Sequence, residues 1–406
     1  MILLILLALP IGIAFGYAAQ RGRFCINSAF RDVYLVRDST LLRAFVLAVL
    51  IQMVGVQVLL QLGLIQVWVI EFFWLANLVG GLVFGTGMVL AGGCSGGSWY
   101  KSGEGQTASM MAIVSFAVAG ALTEVGFLAP IRTLLQTPRI MSLPDGQGPT
   151  LTMALDVPSP WLVIAPVVIL AGYWLLRSPR QRAFQGWAWP KTGLVVGLLG
   201  VLAVAASWVT GRPYGFGITV STSHWLRWLF GFDASLLDWE SFFVLGIPLG
   251  AFIAARLAGE FRWRYPGARQ MGRATAGGAL MGFGAMVMAG CTIGHGLAGV
   301  PLLAMSSLTS TAAIIVGTWA MAWLLFGRRV RVTPTHDLRS VGEVCPFPLV
   351  RAQRALAALQ AGELLRVTFD CMQALESLPR WAEGHGHTIV SRQDLGDGVW
   401  QLVIRK

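Results

Sequence analysis

Five cysteines, Cys25, Cys94, Cys291, Cys345 and Cys371, are the residues of this 406-residue chain best suited to chemistry, and each stands alone. There is no CxxC pair and no run of His and Cys at ligand spacing, so neither a disulfide framework nor a structural zinc is expected. Their surroundings single them out. Cys94 closes an apolar stretch in LAGGCSGGSWYKSGEGQ, and Cys291 does the same in MAGCTIGHGLAG. A thiol is polarisable and weakly donating, which suits a sulfur partner. The adjoining Gly93, Gly96, Gly97 and Gly290 permit positive φ and let backbone N–H groups face a ligand. With a helix restarting at GEGQTASMM, such a nest attracts an anion. The expected ligand is an anion with a soft sulfur end.

The two cysteine segments are copies of one another. GGLVFGTGMVLAGGCSGG (80–97) aligns without gaps to GGALMGFGAMVMAGCTIG (277–294), matching six glycines and the cysteine. Glycines four apart let helices approach closely in lipid and alone mean little; the matched cysteine makes the repeat specific. Cys25, in QRGRFCINSAFRD, has no cysteine counterpart, and GRPYGFGITVS is the candidate decayed copy. For Cys25 two readings stand, a pathway thiol or a small packing residue.

These segments must be held by membrane helices. The chain is 55% hydrophobic and 12% charged, against about 25% charged in an ordinary soluble domain. A crossing needs about 20 apolar residues, and nine candidates are expected, at residues 1–19, 43–62, 76–93, 107–128, 161–176, 191–210, 240–258, 273–290 and 301–326. The arginines behind the net charge of +11 cluster in short segments between them; apart from Arg132, Arg139, Arg212 and Arg227 in two loops expected outside, they follow the positive-inside rule and indicate topology rather than nucleic-acid binding. The N-terminus is then expected outside a bacterial inner membrane and the C-terminus in the cytoplasm. The repeats fall on the third and eighth crossings and so run in opposite directions. Inverted repeats with broken helices meeting at the midplane are a design of secondary transporters, and Cys94 and Cys291 are expected to converge on one pathway.

Charged neighbours add candidates. Arg21 and Arg23 either draw an anion inward or mark a cytoplasmic flank. Lys101 either balances the charge of the ion, with Glu104 fixing the loop, or forms a solvated pair with it. His295 is either a vestibule donor or a group satisfying local backbone. No GxxxxGK[ST] loop occurs, so transport would draw on ion gradients or on consumption of the product.

Composition changes near residue 333. LLRVTF and VWQLVI alternate as strands, while PLVRAQRALAAL and ALESLPRWAEGHG read as amphipathic helices. This gives a small α/β module at 336–406, joined by an arginine-rich linker at 328–335 to a transport domain at 1–327. Pro346 fits N1 of a helix, which makes Cys345 its N-cap and draws the thiol toward thiolate. Cys371 precedes the second helix. If both strand-to-helix turns belong to one βαβ unit, the strands are parallel and the two thiols can be neighbours. His385 and His387 read as a helix-end turn rather than metal ligands.

GRFCINSAFRD, GGCSGGSWYKSGEGQ and GCTIGHGLAG resemble the three cysteine signatures of the YeeE/YedE membrane proteins over about residues 1–327. The resemblance implies an importer of thiosulfate in which Cys291 receives the ion, Cys94 holds it and Cys25 releases it inward, through S–H···S contacts. Relatives handle other sulfur or selenium compounds, so another such anion remains open, as does a membrane thiol–disulfide oxidoreductase. CPFP, the DC pair and the closing GDGVWQLVIRK are similar to the TusA family of sulfur carriers. That implies Cys345 as the site of a persulfide, with Cys371 assisting and cytoplasmic acceptor proteins as partners. No cofactor and no metal is implied.

Overall fold

In the computed structural model, residues 2–138, 147–178, 185–231, 233–327, 335–343, 345–396 and 398–406 are described. All but the last residue of the expected linker at 328–335 lies outside them. Apolar sequence forms helices where hydropathy demands them: α1 (Ile2–Arg21), α2 (Ile26–Leu35), α3 (Thr40–Gln61), α4 (Trp74–Ala91), α5 (Ser95–Gly103) and α6 (Thr107–Glu124). Two short helices follow, α7 (Ala129–Gln136) and α8 (Leu151–Ala154), then α9 (Trp161–Leu176), α10 (Trp189–Val209), α11 (Thr219–Gly231), α12 (Trp239–Leu257), α13 (Ala268–Val287) and α14 (Met305–Ala322).

Among the described residues seven helices are long and apolar enough to cross a bilayer, and α13 with the continuation to Leu302, bent by 47°, makes an eighth. The chain is a multi-pass membrane protein. The expected fifth crossing forms as α9 but has only 16 residues, about 24 Å at 1.5 Å per residue, short of a core about 30 Å thick.

Packing repeats between halves. α1 packs on α12 as α10 packs on α3, α13 on α6 as α4 on α14, and α11 on α6 as α2 on α14. Each pair maps onto the other if α1–α6 correspond to α10–α14 with the turn after Cys291. Glycine contacts fix the direction. A methyl placed on Gly80 would lie 2.7 Å from the Gly284 carbonyl oxygen, and one on Gly284 would lie 2.6 Å from that of Gly80. Gly87 and Gly277 oppose one another in the same way, so α4 and α13 cross antiparallel about a pseudo-two-fold axis. The repeat is inverted, as its sequence positions require. Backbone contact at this distance leaves no room for a side chain, and Gly80→Ala is expected to cost about 1–3 kcal/mol, read as a lower unfolding temperature of the purified protein.

Breaks in the helices also correspond. Gly92 (φ 73) ends α4 in the left-handed region, and Ala289 (φ 59) occupies the matching place after α13. Positive φ therefore falls before each cysteine. The expected nest behind it does not form: Ser95 already opens α5, with Gly96 and Gly97 in its first turn, and GEGQ is the turn from α5 into α6.

The C-terminal module is a four-stranded sheet in the order β1-β2-β4-β3, built from β1 (Asp337–Ser340), β2 (Leu364–Phe369), β3 (Thr388–Asp394) and β4 (Trp400–Arg405). Helices α15 (Phe347–Ala358) and α16 (Met372–Gly384) follow the first two strands. β1 and β2 are parallel, while β4 is antiparallel to both β2 and β3. Leu338, Leu365, Val367, Leu402 and Ile404 form the core with α15 and α16, and Val36 from the end of α2 joins it. The module thus packs directly on the membrane bundle. Phe326 meets Phe347 with ring centroids 5.4 Å apart, and Arg380 pairs with Asp38 at 3.1 Å. Burial alone would raise the Asp38 carboxyl, but Arg380 and the Thr40 hydrogen bonds outweigh it and hold the group below its ordinary 3.8. Its contribution is therefore complete at neutral pH and lost only as pH falls through that lowered value.

Candidate functional site

Each of the three membrane cysteines occupies the N-cap of a helix that restarts inside the bundle. Cys25 precedes α2, Cys94 precedes α5, and Cys291 precedes the short π-helical turn Thr292–Gly299. All three are buried and free. An N-cap places a side chain against unpaired backbone N–H groups at the positive end of a helix. Cys94 uses one of them: the N–H of Gly97 donates to its Sγ at 3.2 Å. Helix termini, and not a glycine nest, stand at the three thiols.

The three helix breaks come together. Cys25 and Cys94 are neighbours across Gly97. A methyl on Gly97 would lie 2.6 Å from the sulfur of Cys25 and 3.2 Å from that of Cys94. Ser95, next along from Cys94, and Thr219, opening α11, flank the thiol of Cys291. Ile293 and Ile218 close over Gly96, where a methyl would meet them at 3.0 Å and 3.4 Å. Ile218 immediately precedes α11 as Cys25 immediately precedes α2, so GRPYGFGITVS supplies the matching break with an apolar residue in place of the third thiol. Ser98 Oγ and Thr292 Oγ1 are buried and have no hydrogen-bond partner among the described residues. Gly93 lies beside the first of these, a methyl there falling 3.2 Å from Ser98 Oγ.

Lys101 and Glu104 are buried, so neither is half of a solvated pair. Lys101 Nζ donates to the Gly92 carbonyl at 2.8 Å, capping the end of α4, and its charge also faces Cys25. Glu104 pairs with Arg23 at 3.5 Å. His295 does not face a vestibule. Its Nε2 meets the Met288 carbonyl at 2.9 Å and its Nδ1 the Ser307 hydroxyl at 2.9 Å, and the ring fills the space beside Gly290. A carbonyl only accepts, so Nε2 carries the proton and Ser307 donates to Nδ1. The imidazole staples the second helix break.

Several residues emerge that sequence reasoning did not mark. Glu260 takes Arg23 at 2.7 Å, Arg21 at 3.2 Å and the Gln20 amide at 2.6 Å. Arg264 lies 3.9 Å from Glu104 and 4.0 Å from Asp370. This ionic chain leads from the loop before Cys25 to the residue before Cys371. Burial would raise the Glu260 carboxyl, but the charge and hydrogen bond of Arg23 outweigh it and hold the group below its ordinary 4.5. Glu260 was visible as the lone acid in RLAGEFRWRYPGAR. Arg31, six residues after Cys25 along α2, donates to the Cys345 carbonyl at 3.4 Å. Tyr214 donates its hydroxyl to the Gly294 carbonyl at 2.8 Å. Loss of that bond in Tyr214→Phe is expected to cost about 1 kcal/mol, read as a small drop in unfolding temperature.

In the C-terminal module Cys371 is the N-cap of α16, whereas Cys345 sits one residue ahead of the cap of α15. Pro346, expected at N1, is itself the cap, with φ −101 and ψ 13 outside the helical region, and α15 starts at Phe347. Cys345 and Cys371 are joined by a disulfide with their Cα atoms 6.3 Å apart. Isolated cysteines gave no reason to expect the bond. Parallel β1 and β2 bring it about by opening both strand-to-helix turns on one sheet edge. His385 and His387 pack on Trp381 at the end of α16, with ring centroids 4.9 Å and 5.5 Å away.

Residues 21–320 match the family described as sulphur transport. The chain belongs to that family. Residues 337–406 of the chain match sulfurtransferase TusA. The transport domain is similar to the thiosulfate transporter TsuA of Spirochaeta thermophila, 38% identical over 335 residues, covering 79% of this chain and 98% of that protein. It is also similar to TsuA of Escherichia coli, 33% identical over 346 residues, covering 81% and 96% of the two chains. The TusA domain is similar to the putative sulfur carrier protein TsuB of Escherichia coli, 46% identical over 66 residues, covering 16% of this chain and 88% of TsuB.

Proposed function

We propose that this chain imports thiosulfate along Cys291, Cys94 and Cys25 in that order and passes its outer sulfur to Cys345 of the TusA domain. The observation that carries the proposal is the set of three N-cap thiols, with Cys25 beside Cys94, and the contacts from Arg31 and Arg264 to the loops of the Cys345–Cys371 pair. A sulfur-bearing dianion meets positive helix ends at every stage, and soft thiols that can donate S–H to sulfur. Ser95, Thr219 and Lys101 add harder donors suited to the sulfonate oxygens. Ile218 and Ile293 narrow the passage between Cys291 and Cys94. At the exit, Arg23 lines a cavity with Gly22, Gln373 and Glu376, directly beneath the TusA domain.

Transfer follows from the chemistry of the thiolate. Reduced Cys345 attacks the outer sulfur of thiosulfate, the S–S bond to the sulfonate breaks, and sulfite leaves with the electron pair, giving a persulfide on Cys345. Arg31 fixes the backbone of Cys345 against α2, so acceptor and exit stay together. Tethering in one chain raises the concentration of acceptor at the exit. Cytoplasmic acceptor proteins would draw sulfur from the persulfide. The basic segments holding Arg21, Arg23, Arg256, Arg262 and Arg264 lie at the end where the TusA domain docks, which supports a cytoplasmic TusA domain and an N-terminus outside the inner membrane.

Uptake of labelled thiosulfate into inverted or right-side-out vesicles, with each cysteine replaced in turn, tests this reading. Cys25, Cys94 and Cys291 variants are expected to lose uptake. Cys345→Ser is expected to keep part of it while losing the persulfide. Normal uptake in all three membrane variants would refute the pathway, and competition by sulfite, sulfate or selenite stronger than by thiosulfate would reassign the substrate.

A further inference from the structure

α9 has no counterpart in the inverted repeat, and the bundle hardly covers it. Along its 16 residues only Ile164 and Leu175 are buried, while Leu162, Ile169, Leu170 and Leu176 are more than half exposed. A groove of about 640 Å³ runs between α9, α3 and α10, lined by Leu47, Ile51, Val54, Gly172, Leu175 and Trp189. From Leu47 to Val54 it follows α3 for about 10 Å at 1.5 Å per residue, which fits within one leaflet of a hydrocarbon core about 30 Å thick. Three cations surround the end of the groove that lies toward the TusA domain. Arg43 stands one turn before Leu47, Arg177 follows Leu176, and Lys191 follows Pro190. Each rests on an aromatic ring: the guanidinium carbon of Arg43 is 5.8 Å from the Trp174 centroid, that of Arg177 is 4.4 Å from Tyr173, and Lys191 Nζ is 4.4 Å from Trp187. The buried Nε of Arg43 has no hydrogen-bond partner among the described residues. Acids to neutralise these charges are missing from the sequence itself: α3, α9 and α10 contain no Asp or Glu, and none occurs between Asp156 and Asp233. Asp38, just ahead of α3, is already held by Arg380 at 3.1 Å and by the Thr40 N–H at 2.9 Å.

We infer that this groove binds one molecule of an anionic phospholipid. An acyl chain lies along Leu47, Ile51 and Val54 and over Gly172, where a methyl would meet nothing within 4 Å. The phosphate engages Arg43, Arg177 and Lys191. Basic side chains at the headgroup end of an apolar recess between membrane helices select acidic lipids, and a zwitterionic lipid brings an ammonium that the same cations repel. The bound chain supplies the packing that α9 lacks against α3 and α10. Trp189 lines both this groove and the cavity beside Arg23, so the lipid also braces one wall of that cavity. The inference holds whichever anion the pathway carries.

Lipid titration of the full-length protein tests the site. Protein stripped of lipid in detergent is mixed with phosphatidylglycerol or phosphatidylcholine of the same chains, and bound lipid is counted by native mass spectrometry. Wild type is expected to take one phosphatidylglycerol at least about tenfold more tightly than phosphatidylcholine. Replacing Arg43→Gln, Arg177→Gln and Lys191→Gln in one chain is expected to remove that preference and leave both lipids equally weak. Gly172→Phe, whose ring would enter the open groove, is expected to weaken both lipids. An unfolding temperature in lipid-free detergent equal to that of wild type shows that each variant is folded. Equal affinity of wild type for the two lipids, or a preference that survives loss of the three cations, would overturn the inference. Displacement of the lipid by glycerol phosphate at equal concentration would overturn the acyl-chain site, and a wild-type dimer that Gly172→Phe dissociates would give the groove to a second copy of the chain.

Discussion

Gly97→Ala is expected to abolish thiosulfate uptake while the protein still folds and inserts. The added methyl would sit 2.6 Å from the sulfur of Cys25 and 3.2 Å from that of Cys94. Contacts between carbon and sulfur that short must open, and the flanking atoms belong to two helix N-termini packed inside the bundle. Overpacking of this kind costs about 1–3 kcal/mol, and a change of about 1.4 kcal/mol at the binding step already corresponds to tenfold. A fall in uptake of at least about tenfold is therefore expected. The inverted counterpart provides the control. Around Gly294 the nearest atoms, the Phe216 carbonyl oxygen and the Tyr214 hydroxyl, are 4.0 Å from a methyl, so Gly294→Ala should retain most of the uptake. Equal loss in both variants would mean that glycine is needed for helix geometry alone and that the thiol contact has no special role.

Arg23→Met is the substitution expected to damage stability most. Arg23 bridges Glu260 at 2.7 Å and Glu104 at 3.5 Å from a left-handed position at φ 52 in the break before Cys25. Removing one partner of a buried ion pair strands the other charge, at a cost of about 3–5 kcal/mol. Here two carboxylates lose their nearest shared cation, with Arg21 and Arg264 left to compensate from 3.2 Å and 3.9 Å. The unfolding temperature should drop sharply, and Glu260→Gln in the same chain should recover part of the loss, as a double-mutant cycle would show. Additive losses would mean that the pair is not coupled. Because the Glu260 carboxyl is held below its ordinary value, its stabilising contribution is present at neutral pH and lost as pH falls through the lowered value.

Much of this architecture was legible in the sequence because lipid and repetition leave strong marks. Every expected crossing formed as a helix, and the antiparallel contact of Gly80 with Gly284 follows from a gapless repeat on the third and eighth crossings. What stayed hidden depended on distances between segments far apart in the chain. The helix restarting at GEGQTASMM formed as α6, whereas the short helix opening at Ser95 ahead of it, with Cys94 accepting from Gly97, is a local choice that hydropathy does not register. His295 could be read as a vestibule donor or as a group satisfying local backbone, and its partners, Met288 and Ser307, are set by the bend after α13. The ionic chain through Glu260 and Arg264 arises only when the loop after α12 folds back beside Cys25. β3 carries the polar run TIVSRQD at a sheet edge, where neither face is fully buried and alternation fades. Cys345 and Cys371 illustrate the same limit: parallel strands made them possible neighbours, and only the closed sheet edge brought their sulfurs together.

The central claim is that one passage exposes three thiols from both halves of the molecule to the same ion. Its most direct measurement is site-resolved alkylation of the full-length protein by a small thiol reagent, with and without thiosulfate, read by peptide mass spectrometry. The account predicts that thiosulfate slows modification of Cys25, Cys94 and Cys291 together, whereas sulfate at the same ionic strength does not. Protection confined to one of the three, or equal protection by sulfate, would contradict it.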